Sequence, residues 1–182
     1  VMSKIAIIGA TGRAGSQLLE EALRRGHSVT AIARHASKIG ARDGVVTKDV
    51  DINDARALQD AVAGNDVVLS AAHFSTQPAA AIVEPVKTAG IKRLLFVGGA
   101  GSLLLPDDTK VIESPGFPEE YKPEASAGGV YLDTLRAEKD LDWSFLSPSA
   151  EFVEGERTGK FRLGTDRLLI NSEGKSWISF AD

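Results

Sequence analysis

The stretch that decides the fold is IAIIGATGRAG, which runs from Ile5 to Gly15. A continuous apolar run leads into three glycines at a spacing of three residues: Gly9, Gly12 and Gly15. Between a strand and a helix, such glycines permit a tight turn, a close approach of the backbone to a diphosphate, and close packing of helix on strand. The amides and the dipole of the helix N-terminus then favour an anion. We therefore predict a dinucleotide-binding loop built from Gly9, Thr11, Gly12, Arg13, Ala14 and Gly15.

Beyond the loop, short apolar runs alternate with longer segments that carry Leu and Ala at helical spacing. Buried strands separated by helices predict a parallel sheet covered on both faces, and right-handed crossovers make it doubly wound. The fold class is therefore α/β, a Rossmann fold, and residues 1–182 are expected to form a single domain. The predicted strands are 5–8, 29–33, 45–47, 66–70, 93–97 and 143–146, and the predicted helices are 14–25, 54–63, 77–89 and 130–140.

Two later regions depart from this alternation. Residues 98–129 contain four prolines, which predict a long irregular segment. This segment could act as a lid that carries Phe117 and Tyr121, or it could be an ordered structural loop. Residues 160–163 and 168–170 flank a turn around Gly164, and they predict a small C-terminal hairpin.

Composition excludes several classes of function. The formal net charge of −4 argues against nucleic-acid binding, which needs a basic face. The chain has no cysteine, so it has no disulfide, thiol nucleophile or thiolate metal site, and its three histidines are too scattered to predict a metal site. No apolar run reaches the length of a membrane span. We expect a cytoplasmic protein that binds neither membrane nor nucleic acid.

The end of the second strand is expected to select the cofactor. An acidic residue there would accept hydrogen bonds from the ribose hydroxyls of NAD. The sequence instead offers Arg34 and Lys38, with Arg13 in the glycine loop, and these cations suit a 2′-phosphate. This pattern favours NADP as the cofactor, with NAD as the alternative. Arg34 and Lys38 could also be solvated surface charges.

The glycine loop and Arg34, with four later stretches, resemble the atypical short-chain dehydrogenase/reductase proteins. More narrowly, they resemble the NADH-flavin reductase-like NAD(P)H-binding group, akin to biliverdin reductase B and NmrA-like proteins. The later stretches are 48–51, 69–72, 96–102 and 146–149. Relatives usually continue into a further helix, which we expect to be absent from this sequence because it stops at Asp182.

The resemblance also implies positions for the cofactor. It places the adenine between Asp49 and Val50, and it makes the segment from Ala71 and Ala72 to Phe74 the path toward the nicotinamide. Ser102 would lie beside the nicotinamide, where Pro148 and Ser149 would complete the site.

The resemblance lacks one feature of the tyrosine-dependent dehydrogenases, the Tyr-x-x-x-Lys pair. Leu135 follows Tyr131 at the fourth position, and Ala125 follows Tyr121. Alcohol–ketone chemistry is therefore not expected. Hydride transfer to a flavin or quinone needs no side-chain nucleophile, because the cofactor supplies the hydride.

Ser102 and His73 are the candidate catalytic residues, as donors to an acceptor. Ser102 could equally be a turn serine, and His73 a loop histidine without a role. Phe74 could cover an aromatic acceptor or plug the core.

Three functions stay open at this point. The first is an NADPH-dependent reductase whose partner is a small flavin- or quinone-like acceptor. The second is a non-catalytic NADP(H) sensor that binds a partner protein. The third, an epimerase or dehydratase, ranks lower because it would normally use the missing tyrosine–lysine pair. The oligomeric state, monomer or dimer, is also open.

Overall fold

The computed structural model describes residues 1–182, and its centre is a six-stranded parallel sheet. The strands are β1 (Lys4–Ile8), β2 (Ser28–Ala33), β3 (Val45–Asp49), β4 (Val67–Ser70), β5 (Arg93–Val97) and β6 (Asp142–Leu146). Their order across the sheet is β3-β2-β1-β4-β5-β6, so the chain crosses over β2 and β1 between β3 and β4. Ile5 consequently pairs with Val29 on one side and with Val67 on the other. The predicted doubly wound sheet is confirmed.

Helices cover both faces of the sheet. They are α1 (Arg13–Arg24), α2 (Ala55–Val62), α3 (Ala80–Thr88) and α4 (Lys122–Ala137). Leu19 and Ala22 of α1 pack with Ile7 and Val29 in a smaller core on one face. A larger core, which includes Leu58 of α2, Ile82 of α3 and Leu135 of α4, fills the other face. None of these helices has the length and apolar character that crossing a bilayer requires.

The structure corrects the start of α4. Residues 122–129, predicted as part of the irregular segment, form its first two turns. Pro123 lies in the first turn, where a missing N–H leaves no hydrogen bond unmade. Gly128 lies against the Phe74 ring, which a Cβ on Gly128 would approach to 3.0 Å. Here proline and glycine serve a helix start and a close contact, although in sequence they favour a loop.

The predicted C-terminal hairpin is wrong. Residues 160–170 contain no strand, and the C-terminal sheet is instead a parallel pair of β7 (Glu151–Val153) and β8 (Trp177–Ser179). The backbone of this region pairs with the loop after β5. The Leu104 N–H donates to the Asp166 carbonyl at 2.8 Å, and the Leu168 N–H donates to the Leu104 carbonyl at 3.0 Å. The second bond uses the Leu168 N–H, which begins the second predicted hairpin strand.

Candidate functional site

The loop between β1 and α1 presents unpaired amides. Gly12 is the N-cap residue of α1, and no side chain caps the helix. The N–H groups of Thr11, Arg13, Ala14 and Gly15 donate to no acceptor in the protein, and the first turn of α1 carries no acidic side chain. Free amides at the positive end of a helix form a binding site for an anion such as a diphosphate.

Gly15 is required by the contact between loop and helix. A Cβ on Gly15 would lie 1.9 Å from the Gly9 carbonyl oxygen, a distance that no side chain can occupy. Gly9 itself has a φ of +78°, a left-handed conformation that disfavours other residues. Its N–H donates to the Ile32 carbonyl at 2.9 Å, which ties the loop to β2. The two glycines therefore fix the shape of the loop.

The chain after β4 supports the loop from the other side. A Cβ on Gly9 would lie 3.1 Å from the carbonyl carbon and oxygen of Ala71 and 3.2 Å from the Ala72 nitrogen. The Ala71 N–H donates to the Ile8 carbonyl at 2.9 Å. Ala71 and Ala72 are thus brought directly beside the loop from Gly9 to Gly15, here called the phosphate loop. Their role as a wall of the cofactor site, which the resemblance implies, stays a prediction.

The next residues of this segment are clamped by α4. The Glu124 carboxylate accepts hydrogen bonds from the Phe74 N–H at 2.5 Å, the Ser75 N–H at 3.1 Å and the Ser75 hydroxyl at 2.6 Å. Burial raises the pKa of Glu124, but the bonds from Ser75 and Phe74, with nearby His73, outweigh it, so this pKa lies below its ordinary value. The carboxylate therefore holds the β4–α3 loop in place as an anion.

A second clamp lies deeper in the core. The Tyr131 hydroxyl donates to the Gln77 carbonyl at 2.9 Å and accepts from the Gln77 side-chain amide at 3.0 Å. Tyr131 is only 3% exposed, and burial raises its pKa. Its ring packs edge-on against Phe74 with centroids 4.9 Å apart, so Phe74 plugs the core and does not cover an acceptor. Tyr131 cannot reach a ligand at the end of the sheet.

The two candidate catalytic residues lie on neighbouring loops but do not contact each other. The His73 imidazole is exposed, with its Nδ1 atom 3.7 Å from Glu124 Oε1. Ser102 is half-buried, and its hydroxyl has no hydrogen-bond partner within the protein. Ser102 is therefore free to donate to a ligand, whereas His73 is oriented toward α4.

The basic segment lies beyond β2, at the edge expected for the adenosine ribose. Arg34 and Lys38 are exposed, and neither forms an ion pair. Lys38 lies in a 3₁₀ turn, Ala36–Ile39. Asp49, predicted to flank the adenine, accepts hydrogen bonds from Ser37 in this turn. Val50 is 7% exposed and belongs to the larger core.

A cavity of about 320 Å³ opens at the carboxyl ends of β5 and β6. Ala14 of the phosphate loop borders it, as do Pro148 and Ser149, so the predicted nicotinamide end joins the predicted diphosphate end. Sequence reasoning missed most of its walls, which are apolar and include Leu18, Phe145, Phe161, Leu163, Leu169 and Phe180. The alternation of Phe161 and Leu163 marks apolar side chains that could line a cavity, but by itself it predicts a strand. A smaller cavity of about 200 Å³ lies beside Thr11, Gly12 and Arg13, where Glu154 also borders it.

The strand order, the glycine loop and the free amides at the start of α1 define a dinucleotide-binding domain of the Rossmann class. The family model described as NAD(P)H-binding matches residues 9–177. The chain belongs to this NAD(P)H-binding family. It is an NAD(P)H-binding protein with an oxidoreductase-like fold.

Several relatives share nearly the whole chain. YwnB, an uncharacterized protein of Bacillus subtilis, is 40% identical over 186 residues, which cover 98% of this chain and 87% of the relative. A structure from Bacteroides thetaiotaomicron, described as a candidate epimerase, is 39% identical with a TM-score of 0.91, over 98% of this chain and 86% of that one. A structure from Streptococcus pneumoniae, described as a candidate NADH-flavin reductase, is 36% identical with a TM-score of 0.84, over 99% and 88%.

Proposed function

We propose that this protein is an NADPH-dependent reductase of a planar acceptor such as a flavin or a quinone. The observation that carries this proposal is the apolar cavity that adjoins the phosphate loop at Ala14. A dinucleotide whose diphosphate lies on the start of α1 would extend its nicotinamide toward this cavity. An acceptor in the cavity would then meet the reduced ring.

The residues present fit the cofactor. Thr11, Arg13, Ala14 and Gly15 supply amides for the diphosphate, and Arg34 and Lys38 supply cations for a 2′-phosphate. When bound, NADPH supplies the hydride, so the protein needs only to bind, orient and exclude water. Ser102 is the candidate donor to an acceptor oxygen because its hydroxyl is unpaired. Its neighbour Leu103 borders the cavity, but Ser102 and His73 do not. His73, which is more exposed, is a weaker candidate for the same role.

The composition of the cavity supports an aromatic acceptor. Its walls are predominantly apolar, and four phenylalanines contribute to them: Phe145, Phe152, Phe161 and Phe180. Apolar and aromatic walls with few polar groups are typical of sites for planar organic ligands.

Epimerase or dehydratase chemistry is disfavoured by the position of Tyr131. That chemistry would need a tyrosine hydroxyl at the substrate, whereas the Tyr131 hydroxyl is bonded to Gln77 within the core. The similar structure from Bacteroides thetaiotaomicron that is described as a candidate epimerase is the one observation that favours this alternative. The cytoplasmic location and the oligomeric state, monomer or dimer, remain predictions.

Turnover measurements test the proposal. Purified protein is mixed with NADPH and either FMN or menadione, and oxidation of the cofactor is followed at the nicotinamide absorbance band. Steady turnover is expected, faster with NADPH than with NADH. Saturable NADPH binding without turnover on any acceptor would instead support the non-catalytic sensor. Absence of binding by calorimetry with both dinucleotides would overturn both functions.

A further inference from the structure

We propose that Asp49 is a positioning residue for NADPH selectivity: it fixes the basic segment of Arg34 and Lys38 by acting through Ser37. This inference rests on the proposed binding of NADPH. The Ser37 N–H donates to Asp49 Oδ1 at 2.9 Å, and the Ser37 hydroxyl donates to Asp49 Oδ2 at 3.1 Å. Both oxygens of the carboxylate are thus bonded to the one residue that precedes Lys38.

The position of Asp49 in the sheet explains how it holds the segment. Asp49 ends β3 and pairs in register with Ala33, the last residue of β2, so it lies beside the start of the basic segment. Ala36 is fully buried and anchors the same 3₁₀ turn to the core. The turn is therefore fixed at Ala36 by packing and at Ser37 by the carboxylate, with exposed Arg34 just before the turn and exposed Lys38 within it.

The bonds from Ser37 also keep the Asp49 carboxylate ionised. A free carboxylate at this edge would repel a 2′-phosphate and would accept bonds from the ribose hydroxyls of NAD. The Ser37 N–H, the Ser37 hydroxyl and nearby His35 hold the pKa of Asp49 below its ordinary value, so the group is an anion at neutral pH. That anion accepts both bonds from Ser37 and so organises the turn, and the positive charges of Arg34 and Lys38 must outweigh its repulsion of a phosphate.

A contact with adenine is the alternative role for Asp49, and the two roles predict different results. Adenine is common to NADPH and NADH, so the loss of an adenine contact would weaken both cofactors equally. The loss of a positioning contact for the 2′-phosphate would weaken NADPH alone. A comparison of the two dissociation constants therefore separates the roles.

The experiment measures NADPH and NADH dissociation constants by calorimetry for the wild type, Asp49→Ala, Asp49→Asn and Ser37→Ala. We expect the NADPH constant to rise roughly fivefold in Asp49→Ala, the effect of about one net hydrogen bond, and by less in Ser37→Ala, which keeps the backbone N–H bond. The NADH constant should stay within roughly twofold of wild type in both variants. Asp49→Asn should restore most of the NADPH affinity, because an amide can exchange hydrogen bonds with both groups of Ser37.

Asp107→Ala is the matched control. Asp107 accepts hydrogen bonds from the N–H and the hydroxyl of Thr109 in the loop after β5, both on Oδ1, so it is a comparable exposed carboxylate far from the basic segment. This variant should change neither constant. Equal weakening of both cofactors, or no weakening of either, would overturn the positioning role. A wild-type protein that binds neither dinucleotide, or does not prefer NADPH, would overturn the NADPH proposal itself.

Discussion

Arg34 is the residue on which the proposed preference for NADPH depends most directly. It is exposed, forms no ion pair, and lies where NAD-binding domains carry an acid. Arg34→Asp should raise the NADPH dissociation constant at least roughly tenfold and lower that of NADH, because a charge attraction becomes a repulsion. The measurement is calorimetric titration with each dinucleotide.

Arg136→Asp is the control for this change. Arg136 lies in the last turn of α4. This helix runs antiparallel to the strands and therefore ends near their amino ends, whereas Arg34 follows the carboxyl end of β2. The same reversal of charge there should leave both constants unchanged. NADPH affinity that survives Arg34→Asp intact would show that the 2′-phosphate lies elsewhere.

Tyr131 shows how a residue type that suggests catalysis can serve only packing. Tyr131→Phe removes the hydrogen bonds with Gln77 and leaves a buried amide donor without one of its partners, since the Gln77 side chain retains its bond to the His73 carbonyl. The free energy of unfolding should fall by about 1–2 kcal/mol, while kcat with NADPH and menadione stays unchanged. Chemical denaturation and steady-state kinetics measure the two effects. A large fall in kcat without a change in stability would instead indicate that Tyr131 acts in the active site.

Gly15 is the position in the phosphate loop where an added side chain would be most damaging. Gly15→Ala would place a methyl group against the Gly9 carbonyl oxygen, so we expect a loss of at least about 2 kcal/mol in the free energy of unfolding and loss of dinucleotide binding. Gly129→Ala is the matched control on α4, where nothing lies within 4 Å of the added carbon. That variant should be more stable by up to about 1 kcal/mol, as helix propensity requires. Comparable losses in the two variants would contradict the steric explanation.

At the scale of elements, the β4–α3 loop is held by α4 through one ionised carboxylate. Because the folded-state pKa of Glu124 lies below its ordinary value of 4.5, its contribution to stability is full above that value and is lost as the pH falls through the folded pKa. Glu124→Gln should therefore lower the free energy of unfolding by about 1 kcal/mol at pH 7, a value reduced for partial exposure. As the pH falls below 4.5 and through the folded-state pKa, the variant and the wild type should converge.

Thermal melts between pH 3 and pH 8, at roughly half-unit steps around the ordinary carboxylate range, measure this dependence. Glu120→Gln is the control, since Glu120 is exposed and makes no hydrogen bond or ion pair. Its melting temperature should follow that of the wild type at every pH. A difference between Glu124→Gln and the wild type that does not depend on pH would contradict the role of the charge.

Elements with a strong apolar pattern could be predicted from sequence, and elements defined by distant contacts could not. β5 has its predicted bounds, and β1 is only one residue longer than predicted, because a buried parallel strand is a continuous apolar run. The sequence does not predict the start of α4, because Gly128 is needed there for close packing against Phe74, which is far away in sequence. In the site, the Gly9–Gly15 loop could be predicted because its glycine spacing lies within one short segment. The bond between Ser37 and Asp49 could not, because it depends on how β2 and β3 pair.

At the scale of the whole molecule, the proposed acceptor cavity joins distant parts of the chain. Leu163, which is 74% exposed, contributes one wall from the irregular C-terminal segment. Leu163→Asp should lower kcat/KM for menadione roughly tenfold, because an apolar acceptor would meet a charge, and should leave the NADPH dissociation constant unchanged. Ile170→Asp is the control, since Ile170 is exposed on the same segment but does not line the cavity. Equal effects of both variants would remove the cavity from the proposed reaction.

The support that the chain after β4 gives to Gly9 has a consequence for biosynthesis. Lys4 and Asp66, 62 positions apart, are hydrogen-bonded where β1 meets β4, and parallel pairing over such a separation forms slowly. While a ribosome is still extending the chain, the glycine loop emerges long before its neighbour does. A nascent chain therefore has no formed dinucleotide site until the fourth strand has left the exit tunnel. NADPH in the surrounding solution would then favour completed sheets over partly folded intermediates.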